Sequence, residues 1–270
     1  MKIVTTTSVF PKCWDVVNSV NRLSAIGFDC FDLGFDYCVQ DENFPFMTDG
    51  YIEWANTLRE TAEKLGKAFS HSHASYDASY KGDMIRRTME CASVMGIKSL
   101  IVHPICGGIN EKEDFISINK EAYKHHIEVG EEYGIAIFTE NLLWGQSISA
   151  QVIAELTREI DSPYFGWCYD VGHAHAMGDS LENFRDVCCP PASLHIHDNG
   201  GVGSDDHNMP GDGTIDWKDF LCSLKSVGYT GKLVLEAHRQ SIAAPDEERD
   251  AVLTELFVRS KKMKEYYESL

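Results

Sequence analysis

The chain has 270 residues, of which 43% are hydrophobic and 11% aromatic, with 42 acidic against 24 basic side chains and a formal charge of −18. That composition excludes a disordered or collagen-like chain and can fill a sizeable core. The acidity argues against a protein that grips phosphate backbones with Lys and Arg, unless a metal ion does the gripping.

The N-terminal MKIVTTTSVFPK has one early Lys but no apolar core of signal-peptide length, and no stretch approaches the ~18 apolar residues of a membrane span. The nine cysteines are scattered, with no C-x-x-C pair. They read as small buried residues in a reducing compartment, and the expected location is cytoplasmic.

Short β-branched or aromatic runs alternate with stretches of helical period. Residues 2–7 are the first predicted strand, and Val16, Val17, Val20, Leu23 and Ile26 mark a helix that stops at Gly27. The second strand, 30–33, leads into an aromatic loop from Tyr37 to Phe46 and a helix over 51–65. Strands follow at 68–72, 99–103, 135–140, 165–170, 193–197 and 232–236. Between and after them lie helices near 83–95, 113–133, 149–159, 181–187, 216–227 and 247–267. Glycines 27, 66, 96, 134 and 228 each sit between a helix and the next strand, where a left-handed residue ends a helix. Eight strand–helix units of about 34 residues pair in parallel and can close on themselves. The expected fold is a single (β/α)8 TIM barrel over residues 1–270, with no linker. An open doubly wound sheet is the runner-up, but no G-x-G-x-x-G follows any strand.

A barrel collects its chemistry at the C-terminal ends of the strands. Of eleven histidines, only His125 and His126 fall within a predicted helix. His71, His73, His103, His173, His175, His195, His197, His207 and His238 all lie at or just past a strand end, with Glu140, Asp170, Asp198, Asp205 and Glu236. A barrel would point Glu140, Asp170, His195 and Glu236, from strands five to eight, at one axial spot. Three carboxylates with one imidazole suit a single Mn²⁺, Mg²⁺ or Co²⁺ better than a closed structural zinc. His73, His103, His173 and His207 would stand around it as substrate contacts or further ligands. His175 and His238 read as structural. Glu140 and Glu236 end apolar strands, where a carboxylate would be desolvated unless it met a cation.

The segments HAS (73–75), VHP (102–104), TEN (139–141), DVGHA (170–174), LHIHD (194–198), DDHNMPGDGTIDW (205–217) and LVLEAH (233–238) resemble the xylose isomerase-like TIM-barrel superfamily. That superfamily holds sugar isomerases and epimerases alongside AP endonucleases of the endonuclease IV kind. The likeness to ketose 3-epimerases implies that Glu140, Asp170, His195 and Glu236 hold one divalent ion. It also implies that the two glutamates form the acid–base pair and that His173 touches substrate. His207 departs from the pattern, because those epimerases usually carry an Arg there. The likeness to the endonucleases implies up to three zinc ions on His73, His103, Glu140, Asp170, His173, His195, Asp205, His207 and Glu236.

The favoured reading is a metal-dependent sugar or keto-polyol isomerase or epimerase. One glutamate would take a proton beside a carbonyl and the other return it, through an enediolate. A keto-polyol dehydratase would share that chemistry. Trp144, Tyr76, Trp14, Phe44 and Phe46 could offer apolar faces to a sugar ring. Arg239, alone beyond the eighth strand, is a thin phosphate clamp, which favours an unphosphorylated or acidic polyol. The second reading is a trinuclear-zinc AP endonuclease, but the loop after strand seven contains no Lys or Arg up to Trp217. An acidic rim of that kind repels DNA, so nucleic acid and membranes are not expected partners. A binding module without turnover is the third reading, and a homo-oligomer is compatible with all three.

Overall fold

The computed structural model describes residues 1–11 and 15–270. Its eight strands are β1 (Ile3–Thr6), β2 (Cys30–Gly34), β3 (Ala68–Asp77), β4 (Ser99–His103), β5 (Ala136–Glu140), β6 (Phe165–Asp170), β7 (Ser193–His195) and β8 (Leu233–Leu235). Each pairs in parallel with its neighbour in chain order, and β1 also pairs with β8. Past the end of β7, Ile196 bridges Leu235, donating to Val234 O at 2.9 Å and accepting from Glu236 N at 3.0 Å. Those bonds close the sheet into the expected (β/α)8 barrel.

The helices are α1 (Val16–Ile26), α2 (Phe35–Cys38), α3 (Tyr51–Lys64), α4 (Met84–Met95), α5 (Lys112–Tyr133), α6 (Ala150–Ile160), α7 (Val171–Met177), α8 (Leu181–Arg185), α9 (Trp217–Ser226), α10 (Arg239–Ala243) and α11 (Asp246–Ser269). The amphipathic period does the work: α1 buries Val20 and Leu23, and α6 buries Val152, Ile153 and Leu156, against the outside of the sheet. Asp15 caps α1 by accepting from Val17 N at 2.9 Å. No helix among the described residues is long and apolar enough to cross a membrane.

Inside the barrel, Val4, Cys30 and Val234 form a small cluster separate from the main core, and the register puts all three at one level. Side chains two residues further along a strand share a face, so Thr6, Asp32 and Glu236 stand on the level above. The barrel therefore changes from apolar to ionisable within one layer.

Five elements differ from the sequence reading. β3 runs on to Asp77 past a bulge rather than stopping at Ser72, because it stays paired with β4. β7 ends at His195, since the chain then turns so that Asp198 pairs antiparallel with Asn208. The short helices α2, α7 and α10 fill places expected to be loop. For α7 the cause is visible: Asp170 Oδ1 accepts from His173 N at 2.7 Å, and Gly178, at φ 73°, ends the helix.

Candidate metal centre and active site

Glu140, Asp170 and His195 end neighbouring strands and are almost fully buried. His195 Nδ1 lies 2.9 Å from Glu140 Oε1 and 3.9 Å from Asp170 Oδ2, and its Nε2 lies 3.4 Å from Glu236 Oε1. One imidazole therefore touches all three of the carboxylates expected to share an ion with it. His73 makes a second bridge, with Nε2 3.5 Å from Glu140 Oε2 and Nδ1 3.5 Å from Glu236 Oε1. Its ring stacks on His195 at 4.7 Å. His103 Nε2 reaches Glu140 Oε2 at 3.5 Å from β4.

A second group gathers beside the first. His173, His197, Asp205 and His207 offer ligand atoms that all lie within 4.8 Å of one another. His173 also sits 3.4 Å from Glu140 Oε1, held by Asn141 O at 3.0 Å from Nδ1. His207 sits 3.4 Å from Asp205 Oδ1 and 3.0 Å from Glu236 O, which ties the loop after β7 to β8. It does so in the left-handed region, at φ 49°, a strained conformation of the sort that concentrates at functional sites.

That loop is set by one carboxylate. Asp198 Oδ1 accepts from Asn199 N at 2.9 Å and Ile215 N at 3.2 Å. Its Oδ2 accepts from Gly211 N at 2.8 Å and Trp217 Nε1 at 2.9 Å. Its acceptor capacity is spent on the loop, so Asp198 is structural. Gly172 is equally constrained, because a Cβ there would collide with the His197 ring.

The ionisation of the pocket follows from its crowding. Burial would raise Glu140, but His195, His103 and His73 hold it well below the usual carboxylate range. Burial would likewise raise Asp170, and His173 and His197 hold it down. The imidazoles respond in the opposite sense. Burial disfavours charge on His73, yet Glu236, Asp32 and Glu140 push it well above its ordinary value. His195 follows His73, with burial outweighed by Cys168, Glu140 and Glu236. His207 is pushed up to about 9: burial opposes this, and Asp205, Glu236 and Asp170 outweigh it.

The donors fit a divalent ion. Glu140 Oε2, Asp170 Oδ2 and His195 Nε2 are buried without any hydrogen-bond partner. Buried polar atoms of that kind are rare, and a cation beside them would supply the missing partner. Clustered carboxylates kept ionised by protonated imidazoles are also what an ion would replace, with release of the protons.

The cleft above offers about 320 Å³ and is lined by Thr6, Ser8, Asp36, Tyr37, His73, His103, Glu140, His173, His207, Glu236 and His238. Several residues singled out in the sequence stand elsewhere. Trp144 is 57% exposed and does not line the cleft. Arg239 pairs with Asp206 on a neighbouring groove. Tyr76 stacks on Tyr80, Phe46 is buried against Phe35, and Phe44 packs on Trp54. Trp14 lies outside the described residues. Of the two histidines expected to be structural, His175 bonds Thr214 at 2.8 Å and stands outside the cleft, whereas His238 lines it.

Two groups escaped the sequence reading. Asp32 of β2 is fully buried, with neither oxygen hydrogen-bonded, 3.4 Å from His71 and 3.8 Å from His73. An acid inside the apolar run CFDLG was the available signal. Asn141 bridges β5 to β6 through two 2.8 Å bonds to the Asp170 backbone, which fixes the height of that carboxylate.

A parallel eight-stranded barrel with histidines and carboxylates at its C-terminal mouth defines a class of α/β-barrel proteins built around a polar axial site. The family model of the xylose isomerase-like TIM barrel matches residues 20–256, and the chain belongs to that family. An uncharacterised Methanocaldococcus jannaschii protein is 30% identical over 165 residues, which are 57% of this chain and 55% of that protein. Inosose isomerase of Bacillus licheniformis is 26% identical over 192 residues, covering 65% of this chain and 68% of the relative. The chain thus spans about half the length of the first relative and two thirds of the second. Among solved structures, an IOLI protein with a bound zinc atom superposes with a TM-score of 0.78 at 17% identity, over 96% of this chain and 97% of that one. A D-psicose 3-epimerase superposes with a TM-score of 0.76 at 13% identity, over 97% and 99%. At these identities the structural likeness establishes the fold.

Proposed function

We propose that the protein is a divalent-metal-dependent isomerase or epimerase of a sugar or keto-polyol, working by proton transfer beside a carbonyl. The observation that carries this reading is the trio of unpartnered buried atoms, Glu140 Oε2, Asp170 Oδ2 and His195 Nε2, under a cleft onto which Glu236 opens. Glu140, Asp170, His195 and Glu236 would hold the ion. When bound, it supplies Lewis acidity, which acidifies the C–H next to a carbonyl and offsets the charge left on the oxygen.

The chain's own residues do the rest. Glu236 and Glu140 stand on either side of the His73 and His195 rings and both line the cleft. One takes the proton and the other returns it on the opposite face of the carbon. His103, His173 and His207 present ring nitrogens that bind substrate hydroxyls and keep them oriented. No Lys or Arg lines the cleft among the described residues, which favours an uncharged polyol over a phosphorylated one. The similarity to inosose isomerase supports the isomerase class. A dehydratase would begin with the same proton abstraction.

A second reading, phosphodiester hydrolysis at three zinc ions, is favoured by the second ligand group, His173, His197, Asp205 and His207. Anomalous scattering from crystals grown with Mn²⁺ and with Zn²⁺ separates the two. One ion at Glu140 and Glu236 is expected. Three clustered zinc ions would overturn the isomerase in favour of the nuclease, and an empty site at millimolar metal would leave a binding module.

A further inference from the structure

The opposite, N-terminal mouth of the barrel carries its own pattern. Lys2, Lys67, Lys98 and Lys232 each stand immediately before a strand, at β1, β3, β4 and β8. None of the four has a carboxylate within salt-bridge distance among the described residues, in a protein of charge −18. Asp29, before β2, is committed to the backbone, accepting from Ile3 N at 2.8 Å.

Between these strand starts lies a pocket of about 210 Å³ lined by Ser70, Ser99, Ser193, His71, Tyr229 and Lys232, among others. Lys232 is half-buried and donates to Ser70 Oγ at 2.7 Å, which leaves two ammonium donors for something else. Burial pushes its pKa down, with Cys30 opposing and nearby Lys2 adding to the shift. His71 is 3% exposed and forms the floor, 3.3 Å from Ser193 Oγ on one side and 3.4 Å from Asp32 on the other. Tyr229 Oη donates to Lys232 O at 2.6 Å and fixes the lysine backbone, and a Cβ at Gly231 would collide with that hydroxyl. The pocket is therefore shaped by packed groups rather than by a loose surface loop.

We propose that this mouth binds a small tetrahedral oxyanion, free phosphate or the phosphate group of a metabolite, with Lys232 Nζ as its charged partner and the hydroxyls of Ser70, Ser99 and Ser193 as donors. A compact ammonium beside several hydroxyls suits a phosphate that is gripped as a point charge. The flanking lysines add positive charge at this end, which favours an anion there. The site lies at the far end of the barrel from the cleft and does not depend on the isomerase reading.

The test is calorimetric titration of inorganic phosphate, and separately of methyl phosphate, into the full chain after chelation, with phosphorus NMR line broadening as a second readout. Binding is expected to weaken by about tenfold or more in Lys232→Met and by about threefold in Ser99→Ala, each change being a fraction of or close to one 1.4 kcal/mol step. It should persist in Glu236→Gln. Far-ultraviolet circular dichroism confirms that each variant is folded. Tighter binding of the ester points to a metabolite, and tighter binding of the free ion to phosphate itself; either supports the site. No binding by the unaltered chain at tens of millimolar would overturn it. So would binding untouched by Lys232→Met, or binding lost in Glu236→Gln, which would put the anion at the other mouth.

Discussion

At the C-terminal mouth, Glu140, Asp170 and His195 are buried with atoms that lack partners, and imidazoles crowd around them. At the N-terminal mouth four other strands, β1, β3, β4 and β8, follow lysines whose ammonium groups lack carboxylates among the described residues. Parallel strands allow this division, because every strand starts at one end and finishes at the other. The contrast teaches that the charge of −18 describes neither end. On the readings proposed above, acidic groups at one end would meet a cation, and basic groups at the other an anion.

The largest expected effects come from the acidic end. Replacing Glu140 or Glu236 by Gln should lower C–H exchange on an active ketose by about 10²–10⁴-fold, the range for a lost general acid or base. Exchange followed by proton NMR in heavy water checks this. Glu140→Gln should also weaken divalent binding, since its carboxylate touches His73, His103, His173 and His195. Unchanged exchange in Glu236→Gln would remove that residue from the chemistry.

A smaller effect separates the scaffold of that mouth from its ligands. Asp198→Ala should cost roughly 3 kcal/mol in urea unfolding, because it strands four N–H donors at the base of the loop after β7. The loss should be the same with and without added metal. A loss seen only with metal present would make Asp198 a ligand after all.

The smallest test uses a histidine that belongs to neither mouth. His126 of α5 is buried, and its pKa is pushed down to about 4, chiefly by burial and then by Lys81. Its folded value lies below its ordinary 6.5, so its contribution to stability is complete above that pH and is lost as pH falls toward 4. Between pH 7 and 5 the loss should be about 2 kcal/mol, and His126→Gln should flatten it. An unchanged slope in the variant would show that burial does not neutralise this imidazole. His207, pushed up to about 9 by its carboxylate neighbours, is the opposite case.

Much of this was legible before folding. Strand starts follow from β-branched runs and the glycines at 27, 66, 96, 134 and 228, all of which adopt positive φ, whereas the ends of β3 and β7 depend on their pairing. Glu140 and Glu236 announce themselves as acids that end apolar runs. The residues that escaped depend on distance in space. Asp32 gains its meaning only from His71 and His73 on the neighbouring strand, and Asn141 only from the Asp170 backbone. Arg239 and Trp144 stand at the right height in the sequence yet turn elsewhere, the one to Asp206 and the other to solvent. Spacing along a chain cannot register such a turn.

The four bonds to Asp198 have a further consequence. They clamp residues 199 and 211–217 to one point, so the segment between them is a closed arch whose tip, around Val202, is 80% exposed. Lengthening an already closed loop is cheap, about 0.6 kcal/mol for each doubling. Insertions near Gly201 and Gly203 should thus leave the barrel intact while changing what hangs over its mouth. That makes this arch a place where length can change above the mouth without redesigning the floor beneath.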